Sequence, residues 1–354
     1  MSAVSVDEIL KKAIGLGASD VHITVGIPPK MRVNGSLTEM EGYERLMPPD
    51  TKAIADAIMG ERQREIVEER GQIDTSYSIR DVGRFRVNIF RQRGSYALAI
   101  RLVATRVPDP KEIGIPQAVI DLHEQESGLV LVTGPTGHGK STTLAALIDL
   151  INNTRDAHVI TLEDPIEFLY RHNKSIINQR EIGIDSLGYA DALRAALRED
   201  PNVIMIGEMR DDETMATAIT AAETGHLVLS TLHTLGAANS VDRIIDVFPE
   251  QKQQQIRIQL ASVLTAIISQ QLIPTADGKG RVAAFEVMFA TTAVRSQIRE
   301  GKAHQLATTI QTSREQGMIT MDDSILHLYQ EGKITQDKAL QYALNPDTLK
   351  NKLK

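Results

Sequence analysis

The sequence predicts two α/β domains, a small one followed by a larger one built on a parallel sheet. In the larger part, apolar runs without polar alternation are separated by stretches with helical spacing. Such runs are typical of strands that helices cover on both faces, as in a doubly wound parallel sheet. The chain has 354 residues, of which 42% are hydrophobic, which is enough for two folded domains. The four runs are Leu129–Val132, His158–Leu162, Val203–Ile206 and Leu227–Leu229.

Shorter segments before the parallel sheet predict the small α/β domain. Helical spacing over 5–17 and 51–71 indicates two helices, and alternating segments at 21–25 and 31–33 indicate short strands. Residues 84–102 predict a β-hairpin, because apolar and polar residues alternate on both sides of a glycine-containing turn. These elements are too few for a large domain, so we expect a compact one.

The polar face of the predicted hairpin carries arginines. Alternation places Arg84, Arg86 and Arg101 opposite the apolar residues, so burial in the core of their own domain does not explain them. A solvated charged face and a functional face are both open interpretations. Arg91 and Arg93, near the turn, fit the solvated face better.

Two further features complete the domain outline. Three prolines and one glycine within 107–116 mark a boundary, so we expect an N-terminal domain over 1–112 and a C-terminal domain over 113–354 with a helical region towards its end. Within the second domain, 251–273 has apolar residues at helical spacing, which predicts a core-facing amphipathic helix. The residues that set this spacing are Ile256, Leu260, Val263, Leu264, Ile267 and Ile268.

Charge and composition narrow the classes of protein. The net charge of −7 weighs against a generally basic surface that wraps nucleic acid. The sequence has no cysteine, which excludes disulfides and thiolate metal sites. Asp7 and Glu8 precede the first apolar run, unlike a secretory signal, and no apolar run is long enough to span a bilayer. We therefore expect a cytoplasmic protein.

The stretch 129-LVLVTGPTGHGKSTTLAAL-147 passes from a predicted strand through a glycine-rich turn into a predicted helix. It satisfies the pattern G-x-x-x-x-G-K-[ST] in that setting, which indicates a phosphate-binding loop for ATP and Mg²⁺. Glycines let backbone N–H groups face the phosphates, Lys140 reaches the β- and γ-phosphates, and the Ser141 hydroxyl offers a ligand to Mg²⁺. The His138 side chain receives no specific role. We expect nucleotide contacts from Gly134, Pro135, Thr136, Gly137, His138, Gly139, Lys140, Ser141 and Thr142.

Carboxylates follow two of the other apolar runs. After the second run, Glu163 or Asp164 could orient or deprotonate the water that attacks a γ-phosphate, although acidic strand ends are often plain solvated loops. The third run delivers Glu208 to the edge where a P-loop protein brings a carboxylate to Mg²⁺ or its water. Because ligands bind beyond the carboxyl ends of parallel strands, we expect these side chains to meet Gly134 and Thr231 at one rim.

Two histidines flank the fourth run. His226 precedes it and His233 follows it, so His233 emerges at the edge expected to carry phosphate and could contact the γ-phosphate. A lone histidine is more often an ordinary core or surface residue, and that interpretation is also open. Metal ligation by the pair is disfavoured, because the two rings lie at opposite ends of one strand.

Four segments of the chain resemble the secretion ATPase superfamily. GPTGHGKSTT is similar to its Walker A loop, ITLEDPIEF to its aspartate box, LREDPNVIMIGEMRD to its Walker B segment and AAETGHLVLSTLHT to its histidine box. The N-terminal ASDVH and the C-terminal 293-AVRSQIREGKAHQ-305 resemble the branch that retracts type IV pili. Val294, Ser296 and Gln297 stand where that branch commonly has isoleucine, asparagine and leucine, so an accessory paralogue is an open alternative.

The resemblance, which covers essentially the whole chain, implies an architecture and a set of site residues. It implies a PAS-like N-domain and a RecA-like C-domain that assemble into a hexamer with nucleotide at the subunit interfaces. It implies that Glu163 polarises the catalytic water, Glu208 serves the Mg²⁺ side, His233 contacts the γ-phosphate and N-domain arginines complete the site. The expected catalytic residues are Lys140, Glu163, Glu208, His233, Arg86 and Arg101.

The resemblance also implies partners and leaves rival functions to test. The partners are copies of this chain, the inner-membrane platform protein of a type IV pilus and the pilus machinery, with peripheral attachment at the cytoplasmic face of the inner membrane and no nucleic acid. A DNA translocase or helicase would share the RecA-like core, and steep stimulation of ATPase activity by DNA would favour it. A P-loop switch without hydrolysis is the third alternative, which a phosphate-release assay decides. An ABC-type transporter is disfavoured, because no Ser-Gly-Gly signature follows the loop.

Overall fold

A computed structural model describes residues 5–33, 35–80, 82–103 and 106–353, which fold into two compact units. The chain passes from the first unit to the second at the start of the proline-containing segment 107–116. The first unit comprises Met1–Arg106 with Pro165–Leu169, and the second comprises Val107–Asp164 with Tyr170–Lys354.

In the first unit, one helix and three strands are followed by two helices and three more strands. Its helices are α1 (Val6–Gly15), α2 (Pro48–Ile58) and α3 (Glu61–Arg70). Its strands are β1 (Asp20–Ile23), β2 (Lys30–Val33), β3 (Ser36–Glu39), β4 (Gln72–Ile79), β5 (Gly83–Gln92) and β6 (Ser95–Leu102).

These strands form one six-stranded antiparallel sheet in the order β3-β2-β1-β6-β5-β4. The predicted hairpin is confirmed as β5 and β6, and Phe85, Val87 and Ile89 of β5 are fully buried. The helices pack against the sheet, which closes an apolar core around these side chains. Arg86 of β5 lies directly opposite Arg101 of β6, and both side chains are exposed.

The expectation of one helix over 51–71 is wrong, because two helices occupy this segment. Met59 ends α2 in an extended conformation, and Gly60 begins α3 as its N-cap. The backbone N–H of Gly60 donates to Oε1 of Gln63 at 2.8 Å, which completes the first turn of the new helix. Strands β3 and β4 were not expected from the sequence, since β3 is exposed throughout and carries little apolar alternation.

The second unit contains the remaining elements. Its helices are α4 (Gln117–Ile120), α5 (Lys140–Thr154), α6 (Tyr189–Ala196), α7 (Asp212–Glu223), α8 (Ala237–Asp246), α9 (Glu250–Val263), α10 (Thr292–Arg299), α11 (Leu306–Thr312), α12 (Met321–Gln330), α13 (Gln336–Tyr342) and α14 (Pro346–Lys352). Short 3₁₀ helices lie at Asp121–Glu124, Ala303–Gln305 and Arg314–Gln316. Its strands are β7 (Gly128–Thr133), β8 (His158–Glu163), β9 (Ile176–Glu181), β10 (Val203–Ile206), β11 (Leu227–Leu232), β12 (Leu264–Pro274) and β13 (Arg281–Phe289).

A seven-stranded sheet in the order β13-β12-β7-β11-β10-β8-β9 forms the centre of this unit. All neighbours pair in parallel except β12 and β13, which are antiparallel. The four apolar runs are β7, β8, β10 and β11, and they lie side by side at the centre, buried almost throughout. The predicted α/β fold class with a parallel sheet is therefore confirmed. In the described parts of the chain, no helix has the length and apolar character needed to cross a membrane.

The expected helix over 251–273 is wrong in its second half. Helix α9 ends at Val263, and the chain continues directly into β12. Ile267 and Ile268 are both fully buried, because β12 lies between β7 and β13 and is covered on both faces. A short apolar run that is buried on both faces has no period to distinguish helix from strand, and here its β-branched residues favour the strand.

Candidate active site

The loop between β7 and α5 is shaped by glycines. Gly134, Gly137 and Gly139 all have positive φ, at 143°, 79° and 83°. A Cβ on Gly134 would lie 2.3 Å from the Gln270 carbonyl oxygen, and one on Gly139 would lie 2.9 Å from Nε2 of the same residue. The loop therefore packs tightly on β12 in a conformation that side chains at these positions would prevent, which fits a backbone cradle for phosphate.

Lys140 is the first residue of α5 and is 7% exposed. Its Nζ donates to the carbonyl oxygens of Gly134 at 2.9 Å and Pro135 at 3.0 Å, so the lysine lies across its own loop. Ser141 follows in the first turn of α5 and is exposed, at a point where backbone N–H groups lack helical partners. These N–H donors suit phosphate oxygens, and the oxygen of the Ser141 hydroxyl suits the Mg²⁺ that accompanies them.

His138 anchors the loop, although sequence reasoning assigned its side chain no role. The backbone N–H of Leu272 on β12 donates to its Nδ1 at 3.0 Å. Burial, together with the positive charges of Arg281 and Lys140, lowers the pKa of His138. The ring is therefore neutral at pH 7 and acts as an acceptor that ties the loop to β12.

A chain of contacts joins the loop to the ends of two strands. His233, just after β11, places Nδ1 3.5 Å from Lys140 Nζ and 3.2 Å from Thr136 Oγ1. Its Nε2 lies 3.1 Å from Oε2 of Glu208, which follows β10. Because the lysine can only donate, these partners assign the acceptor role to Nδ1 and the N–H to Nε2. The other oxygen of Glu208 pairs with Arg210 Nη2 at 2.6 Å.

Glu163 is the last residue of β8 and is 7% exposed. Its Oε1 accepts hydrogen bonds from Thr161 Oγ1 at 2.6 Å and from Gln179 Nε2 on β9 at 3.1 Å. Strands β8 and β10 are neighbours with Leu162 opposite Ile206, so Glu163 and Glu208 leave adjacent strands at the same end. The structure thus brings Lys140, His233 and Glu208 into contact and places Glu163 on the neighbouring strand.

The two predicted arginines belong to the first unit. Arg101 Nε forms an ion pair with Asp20 Oδ1 at 2.9 Å, while 70% of its side chain is exposed. Within the described residues, neither an ion pair nor a hydrogen bond engages the Arg86 side chain. Asp20 therefore holds Arg101, whereas no described residue holds Arg86. Arg86 is the arginine that is available to a ligand or a partner.

Sequence reasoning missed several residues that orient this site. Arg210 was visible two residues after Glu208 but was not singled out. Gln270 was placed on a helix, whereas its Oε1 accepts from Thr143 Oγ1 at 2.7 Å and anchors α5 beneath the loop. Gln179 had no local signal, since β9 was not predicted. His226 lies before β11 with its ring against the Ala221 carbonyl, away from the loop.

Comparison with known proteins identifies relatives of the whole chain. The family model described as "Type II/IV secretion system protein" matches residues 2–342. A type IV pilus retraction ATPase, PilT, of Pseudomonas aeruginosa is 43% identical over 97% of this chain and 99% of the relative. A twitching motility protein of Neisseria gonorrhoeae is 45% identical over 91% of this chain and 86% of the relative.

A solved structure has the same fold over nearly its full length. The crystal structure of the pilus retraction motor PilT with bound ADP superposes with a TM-score of 0.91 at 48% identity, covering 98% of this chain and 99% of that chain. The family model also spans both units described above. The chain therefore belongs to the type II/IV secretion system protein family.

Proposed function

We propose that this protein is an ATPase that drives type IV pilus retraction and twitching motility. The observation that carries the catalytic part is the contact chain from Lys140 through His233 to Glu208 beside a glycine loop. The relatives' names, which describe pilus retraction and twitching motility, support the biological part. ADP in a solved structure at 48% identity supports a nucleotide as the ligand.

The residues take separate roles in hydrolysis. Lys140 exchanges the carbonyls of its own loop for the β- and γ-phosphate oxygens, and the loop from Gly134 to Thr142 supplies backbone donors. Ser141 would hold Mg²⁺ directly and Glu208 would hold it through water. When bound, Mg²⁺ neutralises charge on the β- and γ-phosphate oxygens.

Glu163 acts on the attacking water. Two hydrogen bonds to its Oε1 fix the carboxylate at the carboxyl end of β8, next to the end of β10. The water oxygen bonds to the γ-phosphorus, the bond from that phosphorus to the bridging oxygen breaks, and the electron pair leaves with ADP. The water proton passes to Glu163 and from there to solvent. His233 contacts the γ-phosphate on the other side of the loop.

The assembly we propose is a homo-hexamer with nucleotide at the interfaces. Each subunit would comprise a PAS-like domain over 1–112 and a RecA-like ATPase domain over 113–354. An arginine of one subunit, Arg86 or Arg101, stabilises the charge that develops on the γ-phosphoryl oxygens in the site of its neighbour. This arrangement ties each hydrolysis event to the geometry of the ring.

The proposed partner is the inner-membrane platform protein of a type IV pilus. The motor would attach peripherally at the cytoplasmic face of the inner membrane and bind no nucleic acid. The net charge of −7 supports the last point, because a DNA translocase needs a basic surface.

Two measurements test this function. Purified protein should release phosphate from ATP with Mg²⁺, and double-stranded DNA should not stimulate the rate; strong stimulation would favour a translocase. Cells without the gene should remain piliated and fail to retract, and the gene with Lys140→Ala should not restore retraction. Normal retraction in the deletion strain would mean that another protein is the main motor, and it would favour an accessory role for this chain.

A further inference from the structure

Tyr189 opens α6, and its hydroxyl reaches the carboxyl end of the central strands. The ring is partly buried and packs against the apolar cluster beneath the sheet. A Cβ built on Gly207, directly before Glu208, would lie 2.8 Å from the Tyr189 hydroxyl oxygen. The missing side chain at Gly207 therefore makes room for this hydroxyl.

The hydroxyl lies where the backbones that carry the two carboxylates meet. The same Cβ position is 3.3 Å from the Leu162 carbonyl oxygen and 3.6 Å from Glu163 Cα. The backbone N–H of Gly207 donates to that carbonyl at 2.8 Å, which holds the ends of β8 and β10 together. Tyr189 thus directs a polar group at the junction between Glu163 and Glu208.

Electrostatics keep this hydroxyl protonated. Burial, followed by the negative charges of Asp164, Glu208 and Glu163, raises the pKa of Tyr189. At pH 7 the group therefore has an O–H to donate, and it does not act as a base.

The hydroxyl has no protein partner in the described parts of the chain. Neither a side chain nor a backbone group there forms a hydrogen bond with it, and it is not one of the fully buried polar atoms that lack a partner. A tyrosine hydroxyl that is mostly enclosed normally finds a partner. Since this hydroxyl is not fully buried, a water molecule could serve as its partner.

We propose that the Tyr189 hydroxyl donates a hydrogen bond to the water that attacks the γ-phosphate and holds that water between Glu163 and Glu208. The inference rests on the proposed ATP hydrolysis. Tyr189 neither gains nor loses a proton: the water proton goes to Glu163, and the tyrosine fixes the direction of the water's lone pair. One hydrogen bond of this kind contributes about fivefold to tenfold in rate.

The test is Tyr189→Phe in the full chain, which keeps the ring and its packing and removes the hydroxyl. We expect kcat to fall about fivefold to tenfold, while the Kd for ADP and the melting temperature stay at wild-type values. Tyr329→Phe is the matched control, since Tyr329 is another half-buried tyrosine of the same unit and packs in the C-terminal apolar cluster. It should leave kcat unchanged.

A second variant separates the hydroxyl from general damage to the site. Gly207→Ala places a methyl group 2.8 Å from the hydroxyl oxygen, which must then move, so this variant should also lower kcat. If both changes act through the hydroxyl, Tyr189→Phe combined with Gly207→Ala should be no slower than the slower single variant. The proposal would be overturned if the loss of kcat in the double variant equalled the product of the two single losses. An unchanged kcat for Tyr189→Phe would also overturn it. A wild-type protein without ATPase activity would refute the proposed function instead.

Discussion

Mixing two inactive variants tests whether an arginine acts across a subunit interface. Arg86→Ala removes an exposed side chain that no described residue holds, and its cross-strand neighbour is the like-charged Arg101. Like charges directly opposite each other destabilise a sheet, so we expect stability within about 0.5 kcal/mol of wild type or slightly higher. Loss of an arginine from the γ-phosphate site should lower kcat by a factor on the order of 10³.

If the arginine acts across the interface, mixing Arg86→Ala with Lys140→Ala should restore a defined fraction of the ATPase activity. A working site then needs Lys140 from one subunit and Arg86 from its neighbour. In rings assembled at random from equal amounts of Arg86→Ala and Lys140→Ala subunits, about one quarter of the interfaces have both intact halves. Phosphate release should therefore reach up to about one quarter of the wild-type rate, whereas each parent alone stays near background. Subunit exchange is followed in parallel by energy transfer between labelled subunits.

A matched mixture provides the negative control. Arg86→Ala mixed with the double variant Arg86→Ala/Lys140→Ala should not recover, because no subunit in that mixture carries Arg86 for its neighbour. If the arginine acted within its own subunit, each site in the first mixture would lack either Lys140 or Arg86, and recovery would also be absent. No recovery with Lys140→Ala, despite demonstrated exchange, would therefore refute arginine action in trans.

Three further predictions concern the nucleotide site and the first unit. Lys140→Ala should abolish nucleotide binding or turnover, checked with a fluorescent ADP analogue and phosphate release; near-normal release would contradict the loop assignment. Glu163→Gln and Glu208→Gln should each keep nucleotide affinity while kcat falls at least about a hundredfold, and a wild-type rate in either would remove that residue from the chemistry. Burial raises the pKa of Asp20, but hydrogen bonds that include one from Arg101 outweigh burial and lower this pKa overall. The Asp20 carboxylate therefore stabilises the fold at pH values above its unfolded pKa. It loses that effect as the pH falls through its folded pKa. Asp20→Asn should cost under about 1 kcal/mol at pH 7 in thermal unfolding, and this cost should shrink as the pH falls through the folded pKa of Asp20; a cost that is unchanged in acid would contradict this.

The centre of the fold and the rim of the site could be predicted because burial on both faces leaves a local signal. Runs such as Val203–Ile206 are apolar without alternation, and the polar residue after each run must leave the sheet at its carboxyl end. The glycine-rich loop pattern is also local, and it predicted that Lys140 lies at the start of the helix after the first run. The resemblance of four segments to the secretion ATPase superfamily is confirmed by the family model and the relatives.

The remaining features depend on contacts between distant segments. Ile267 and Ile268 fit a helical period as well as a strand, and β-branching favours the strand only weakly, so pairing of this segment with β7 and β13 is what decides. Gly60 lies within the segment 51–71 that predicted a single helix, and its N–H bond to the Gln63 side chain makes it the start of a second helix. Tyr189 carries no motif, since its importance arises from the space left by Gly207.

His233 connects the nucleotide side of the site to the carboxylate side through a single ring. A phosphate oxygen only accepts hydrogen bonds, whereas in this arrangement Nδ1 is itself an acceptor facing Lys140 and the N–H points to Glu208. When Lys140 turns to the phosphates, Nδ1 keeps only the Thr136 hydroxyl, 3.2 Å away, as a neighbouring donor. A contact between the ring and the γ-phosphate requires an N–H at Nδ1, gained by a second proton on the ring or by transfer of the proton from Nε2. Either change alters the bond to Glu208. Lys140, His233 and Glu208 therefore respond as one unit to the γ-phosphate. A variant with two of them substituted should lose less kcat than the product of the two separate losses.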